Sequence, residues 1–143
     1  IEARTINGQD DLVCRSADLD DFRAGKFPVL ITNPHTLAES VSLHSICHDA
    51  VYYEYSFNLV HLLQSRDRIH RLGLPQDQQT RYYYLSEDYD LGKPDPWSLD
   101  EEIYTRLREK ENTMLRCIDS EILETQPTSQ EDLDAIFAGL FDD

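Results

Sequence analysis

Short apolar runs alternate with amphipathic stretches along the first 85 residues, and the two patterns predict different elements. ARTING (3–8) reads as a strand that ends in a turn. The polar stretch after it, with Leu19 and Phe22, reads as a helix closed by Gly25. FPVLITN (27–33) is a β-branched run between turn residues, which suits a buried strand. TLAESVSLHSICH (36–48) begins turn-like and becomes helical. AVYYEY (50–55) is a further strand, FNLVHLLQSRDRI (57–69) a further helix and TRYYYL (80–85) the last strand. This rhythm with short connections predicts an α/β fold, a parallel sheet flanked by helices. Such sheets bind ligands beyond the carboxyl ends of their strands. Thr32-Asn33-Pro34 and the segment Gln64–Arg71 are therefore candidates for the functional edge.

From residue 86 the pattern changes, which divides the chain into an α/β domain, 1–85, and a C-terminal helical appendage, 86–143. SEDYDLGKPDPWS (86–98) is a polar loop. A helix over 98–124 opens as a capping box, Ser98 with Glu101, and carries Ile103, Leu107, Met114, Leu115, Ile118 and Ile122 at roughly helical spacing. Pro127 breaks it. A second capping box, Thr128 with Glu131, starts an amphipathic helix over 129–141 with Leu133, Ile136, Phe137, Leu140 and Phe141 on one stripe.

A length of 143 residues, 40% of them hydrophobic, suffices for one core. No apolar run is long enough to span a bilayer. The chain begins with Ile and enters a strand at once, which suggests a fragment of something longer. Its net charge of −15 is uneven. Residues 1–85 hold 11 acidic and 8 basic side chains, net −3; residues 86–143 hold 17 and 5, net −12. That balance argues against a free-standing nucleic-acid binder but leaves room for a local basic groove in the first part.

Three widely spaced cysteines (Cys14, Cys47, Cys117) form no CxxC pair and read as reduced thiols of a cytoplasmic protein. His44, Cys47 and His48 make an H-x-x-C-H cluster, but a zinc site wants four ligands and no second cluster supplies the rest, so no metal is expected. DEEI (100–103) has the letters of a metal-binding ATPase motif, yet GKPDPWSL precedes it where an apolar strand is required, and helix capping explains it. G-x-x-x-x-G-K-[ST] does not occur, so this chain does not cradle a nucleoside triphosphate unaided.

QSRDRIHR (64–71) concentrates three arginines and a histidine in an otherwise acidic chain. On a helix over 58–71, Gln64, Arg68 and Arg71 fall at i, i+4 and i+7 along one stripe, with Arg66 and His70 on a second beside it. Two guanidinium groups one turn apart suit a phosphate chain, which arginine binds bidentately. On spacing alone, a solvated helix face pairing with Asp67 and Asp77 is the favoured account.

The order of motifs adds to the spacing. QSRDRIHRLG resembles the sixth motif of superfamily-two helicases, Q-x-x-G-R-x-x-R, most of all in its Swi/Snf-type form. ING (6–8) resembles a strand end near the start of that family's second lobe, and Arg15 to Phe22 the R-x-x-x-x-x-x-F stretch after it. VLITNPHTLAESVSLH (29–44) resembles motif V, AVYYEYSFN (50–58) the strand and Asn before motif VI, and SLDEEIYTRLREKE (98–111) the brace segment. The likeness takes in most of residues 3–120.

What the resemblance implies is a partial RecA-like fold, the C-terminal lobe of an ATP-dependent helicase or translocase acting on nucleic acid, with duplex DNA the favoured substrate. ATP and Mg²⁺ would be bound mainly by the N-terminal RecA-like lobe of the same polypeptide. By carry-over Arg71 is the arginine finger, Arg68 its partner at the phosphates, and Gln64 positions them or the attacking water. Thr32, Asn33, Ser40 and Ser42 fall where the family touches the nucleic-acid backbone. Ser40 and Ser42 replace the usual glycine and asparagine of motif V, and Asp67 replaces the usual glycine of motif VI. The isolated chain is expected to hydrolyse no ATP. The alternative is a non-catalytic interaction module that docks through the acidic helix 129–141.

Overall fold

The computed structural model describes residues 1–33, 41–54, 56–71, 74–75, 77–92, 94–120 and 127–141. Strand β1 (Ala3–Ile6) pairs in parallel with β2 (Val29–Thr32), in the register Ala3 to Val29 through Ile6 to Thr32. Between them runs helix α1 (Leu12–Arg23). Asp11 caps it, its side chain accepting from the Cys14 amide at 2.8 Å, and this hydrogen bond holds the Asp11 carboxyl below its ordinary range. At the other end Gly25 takes φ +70°, and the amides of Gly25 and Lys26 return to the carbonyls of Phe22 and Asp21. Only a residue without Cβ adopts that conformation at no cost, which is why the helix stops where the glycine stands.

Strand β3 (Asp49–Tyr52) pairs with β4 (Arg81–Tyr84). The Arg81 amide donates to the His48 carbonyl and the Leu85 amide to the Tyr52 carbonyl, a constant offset that makes this pair parallel too. Helix α2 (Leu59–Arg66) lies between them in the chain, and helices α3 (Leu99–Ser120) and α4 (Ser129–Phe141) follow. The fold is therefore α/β: among the described residues, two short parallel two-stranded sheets flanked by helices.

Contacts divide the chain into two compact units, residues 1–50 with 60–82, and residues 51–59 with 83–143. The first has a core of Ile6, Leu19, Leu43 and Ile69, ringed by half-buried neighbours that include Phe22, Leu30, Cys47 and Tyr82. Arg4 of β1 donates to Asp18 and Asp21 of α1, both at 2.8 Å, and stacks its guanidinium over the ring of Phe27. In the second unit Tyr84 stacks on Tyr52 and meets Tyr104 of α3, beside the buried Ile103 and Leu107. The amides of Tyr89 and Trp97 bond each other's carbonyls across the loop that precedes α3. The second capping box is formed in full, Thr128 and Glu131 bonding reciprocally, and of the first the N-cap bond is formed, Ser98 Oγ accepting from the Glu101 amide.

Four expectations are corrected. The helix expected over 57–69 is shorter, Leu59–Arg66, because the amides of Arg68 and Ile69 turn back to carbonyls three residues earlier and tighten the chain out of the α geometry. Of the stretch 36–48, residues 36–40 lie outside the described residues, and the remainder makes a single turn, the amides of Ile46 and Cys47 both reaching the Leu43 carbonyl. Strand β2 is covered on one face only: Leu30 is half-buried whereas Ile31 is 52% exposed. The buried face of α4 is rotated from the expected stripe. Asp132 and Ile136 are buried, and Phe137 is 49% exposed. Lys110 of α3 reaches the Asp132 carboxylate, so an ion pair is buried at a position that the stripe leaves on the solvated side.

Among the described residues no helix is long and apolar enough to cross a membrane.

Candidate functional site

The arginine segment is positioned from two sides. Leu62 buries the inner face of α2, and the Ser65 hydroxyl bonds back to the Leu62 carbonyl at 2.7 Å. This local bond offers the last turn an alternative to continued helix. Beyond Arg66 the chain makes a turn over 67–69 whose apolar residue, Ile69, is driven into the core at 5% exposure. Burying Ile69 turns its neighbours outward, and the polar residues of the segment meet around an open concavity of about 450 Å³. Gln64, Asp67, Arg68, His70 and Arg71 line it.

The three arginines part company here. Arg66 faces strand β4, with its guanidinium 5.4 Å from the centre of the Tyr82 ring and its carbonyl accepting from the Tyr82 hydroxyl at 3.2 Å. It has no place in the concavity. Arg68 lines it half-buried, and Arg71 lines it exposed. Arg71 Nε donates to the main-chain carbonyl of Asp67 at 3.3 Å, so the tether between these residues runs to the backbone. His70 Nδ1 lies 3.4 Å from the Thr80 hydroxyl, just before β4. The expected grouping of Gln64, Arg68 and Arg71 is thus met, although Arg68 and Arg71 stand beyond the helix. The expected second stripe of Arg66 with His70 is not: the helix ends at Arg66, and the two residues diverge.

The lining set is two guanidinium groups, an imidazole and an amide against one carboxylate. Such a set fits the edge of a phosphate chain, since guanidinium donors are always charged and match phosphate oxygens in pairs. It does not fit a bare cation. Among the described residues no group of three or more His, Cys, Asp or Glu side chains is placed to hold a metal. Cys47 of the H-x-x-C-H cluster instead donates its thiol to the Asp49 carbonyl, and burial pushes that thiol above its ordinary value.

Thr32 ends β2 and its hydroxyl bonds the Asn33 carbonyl, while Asn33 is exposed. Ser42 shares a hydrogen bond with His44 Nδ1. None of the three lines the concavity, and Ser40 lies outside the described residues. The link between the two candidate regions is main-chain: the Leu43 amide donates to the Arg68 carbonyl at 2.8 Å. Sequence reasoning missed Tyr82 and Thr80 as supports of the segment. The period of two along β4 carries part of that signal, because it puts Tyr82 on the same face as Tyr84, and both are half-buried.

No family model and no curated protein matches this sequence. Among solved structures, the chain is similar to the C-terminal part of the Fun30 ATPase domain, with 22% identity and a TM-score of 0.57 over 73% of its length. It spans 30% of that solved chain. At this identity the likeness speaks for a shared fold.

Proposed function

We propose that this chain is a C-terminal helicase-type lobe whose Arg71 and Arg68 act on ATP held by another lobe of the same polypeptide. The observation that carries the reading is the concavity, where a sequence segment with motif VI spacing turns Gln64, Arg68 and Arg71 to one open surface. The fold shared with part of an ATPase domain supports it.

In this reading another lobe would bind ATP together with Mg²⁺, whose chemistry there would be to neutralise charge on the phosphates. When the lobes close, the exposed Arg71 offers its guanidinium to the charge that develops on the transferred phosphoryl group. Arg68, half-buried and therefore restrained, holds the neighbouring phosphate oxygens, and the Gln64 amide orients the attacking water. Fixed donors of this kind cost no reorganisation at the moment of reaction. Thr32, Asn33, Ser40 and Ser42 touch the backbone of duplex DNA, contacts that are independent of sequence and sensitive to salt. The bond between Leu43 and Arg68 couples that segment to the arginines. The test is ATP turnover by the full-length polypeptide with and without duplex DNA. Turnover stimulated by DNA supports the reading, and a polypeptide that hydrolyses no ATP under either condition removes it.

A second reading, a non-catalytic interaction module, draws on one observation: Phe137 stands half-exposed on the acidic helix α4. Limited proteolysis distinguishes the two. Rapid cutting within 129–141 would mark a helix that needs a partner.

A further inference from the structure

Lys110 and Asp132 carry charge into two helix rows that are otherwise apolar. On α3 the inward row runs Ile103, Leu107, Lys110 and Met114, in steps of four, three and four residues. On α4 Asp132 lies one turn before Ile136, and both are buried. The Lys110 side chain is 13% exposed and that of Asp132 1%. The apolar stripe of α4 (Leu133, Ile136, Phe137, Leu140 and Phe141) centres near Leu133, whereas the buried face centres near Ile136. At 3.6 residues per turn the two directions differ by about 60° around the helix axis. A helix docked by apolar burial alone turns its stripe inward. Helix α4 does not, and Phe137 is left half-exposed as a result.

We infer that the pair of Lys110 and Asp132 is a registry lock, which fixes the face that α4 turns to α3 and holds Phe137 at the surface. Rotating α4 to centre its stripe would carry Phe137 inward and Asp132 toward solvent. The Lys110 ammonium would then stay in an apolar row without its counter-charge. Stranding one member of a buried pair is strongly unfavourable, while the intact pair does little better than apolar side chains of the same volume. The pair therefore adds little to the attachment of α4 and weighs heavily against the other register. A single polar residue at an inward position of a coiled coil selects register in the same way, at a cost in stability. With the lock closed, Phe137 shares the exposed side of α4 with Gln130 and Asp134, which bond each other at 2.8 Å. With both charges gone, the two registers are decided by apolar burial, and the stripe turns inward.

The double variant Lys110→Met with Asp132→Leu tests this, because it removes both charges together and strands neither. The measurement is the set of nuclear Overhauser contacts from the Phe137 ring and the Ile136 methyl groups to α3 side chains, taken in the 143-residue chain. In the parent, Ile136 should give strong contacts to α3 and Phe137 weak ones or none. In the double variant the Phe137 contacts should rise to the level of those from Ile136. A charge-swapped pair, Lys110→Asp with Asp132→Lys, should return the parent pattern. A folded double variant that keeps the parent pattern overturns the inference, because packing alone then sets the register. Loss of contacts from both residues also overturns it, since the pair would then attach α4 and not orient it. A double variant that fails to fold does the same, because a choice of register requires the alternative register to be stable. Strong Phe137 contacts to α3 in the parent would remove the premise.

Discussion

The Leu43 amide donates a 2.8 Å hydrogen bond to the Arg68 carbonyl, and Leu43 and Ile69 both lie in the buried core of the same unit. The segment expected to meet nucleic acid and the segment expected to meet phosphate are therefore joined through one main-chain bond and one apolar cluster. The geometry of the arginines depends on packing beneath them.

Ile69→Ala tests that dependence. Removing a core side chain of this size costs about 2–5 kcal/mol, the transfer term plus the cavity left behind. The urea midpoint should fall accordingly. Binding of inorganic tripolyphosphate, a probe of the concavity, should weaken even under conditions where the variant stays folded, because the buried side chain that turns Arg68 outward is gone.

The three arginines should differ. Arg66 is engaged with Tyr82, away from the concavity. Arg66→Ala is expected to cost the least tripolyphosphate affinity of the three, because its guanidinium is engaged at Tyr82 and does not line the concavity. Arg68→Ala and Arg71→Ala should each weaken it several-fold. Equal losses in all three variants would mean that general charge, and no defined site, governs binding.

The pair of Lys110 and Asp132 couples α3 to α4 with both side chains largely buried. Taking away one partner strands the other charge, at a cost of about 3–5 kcal/mol. Lys110→Met should therefore destabilise the second unit strongly, and the double variant with Asp132→Leu should recover much of the loss. Chemical denaturation followed by Trp97 fluorescence checks both.

Acid should act through Asp21. Its carboxyl is held below the ordinary 3.8 by the hydrogen bond from Lys26 and then by that from Arg4. A folded value below the unfolded one gives stabilisation that is fully present above the unfolded value and is lost as the pH falls through the folded one. The urea midpoint of the parent should drop between about pH 5 and about pH 2, and Asp21→Asn should drop less over that window.

What could be read from the sequence was local. The N-cap bonds of Ser98 and Thr128 and the stop at Gly25 depend on residues three or four apart, and each is formed. The end of α2 at Arg66 was not legible, because neither glycine nor proline marks it. It depends on the Ser65 hydroxyl bonding backwards and on the pull of the core on Ile69. The face of α4 failed for a related reason: a stripe counts aspartate as solvated, and the partner that buries Asp132 lies 22 residues away. In the candidate site, Gln64, Arg68 and Arg71 line one concavity, but Arg68 and Arg71 do so from beyond the helix on which their spacing was counted. The departure of Arg66 required Tyr82, a residue from a later strand.

The central claim is that Arg71 reaches ATP held elsewhere in the polypeptide. Its most direct test is single-turnover ATP hydrolysis by the full-length protein on duplex DNA, wild type beside Arg71→Ala, with folding checked by thermal melts. A loss of roughly 10³-fold or more in rate at unchanged stability is expected of an arginine finger. A folded variant that hydrolyses ATP at the wild-type rate would contradict the account.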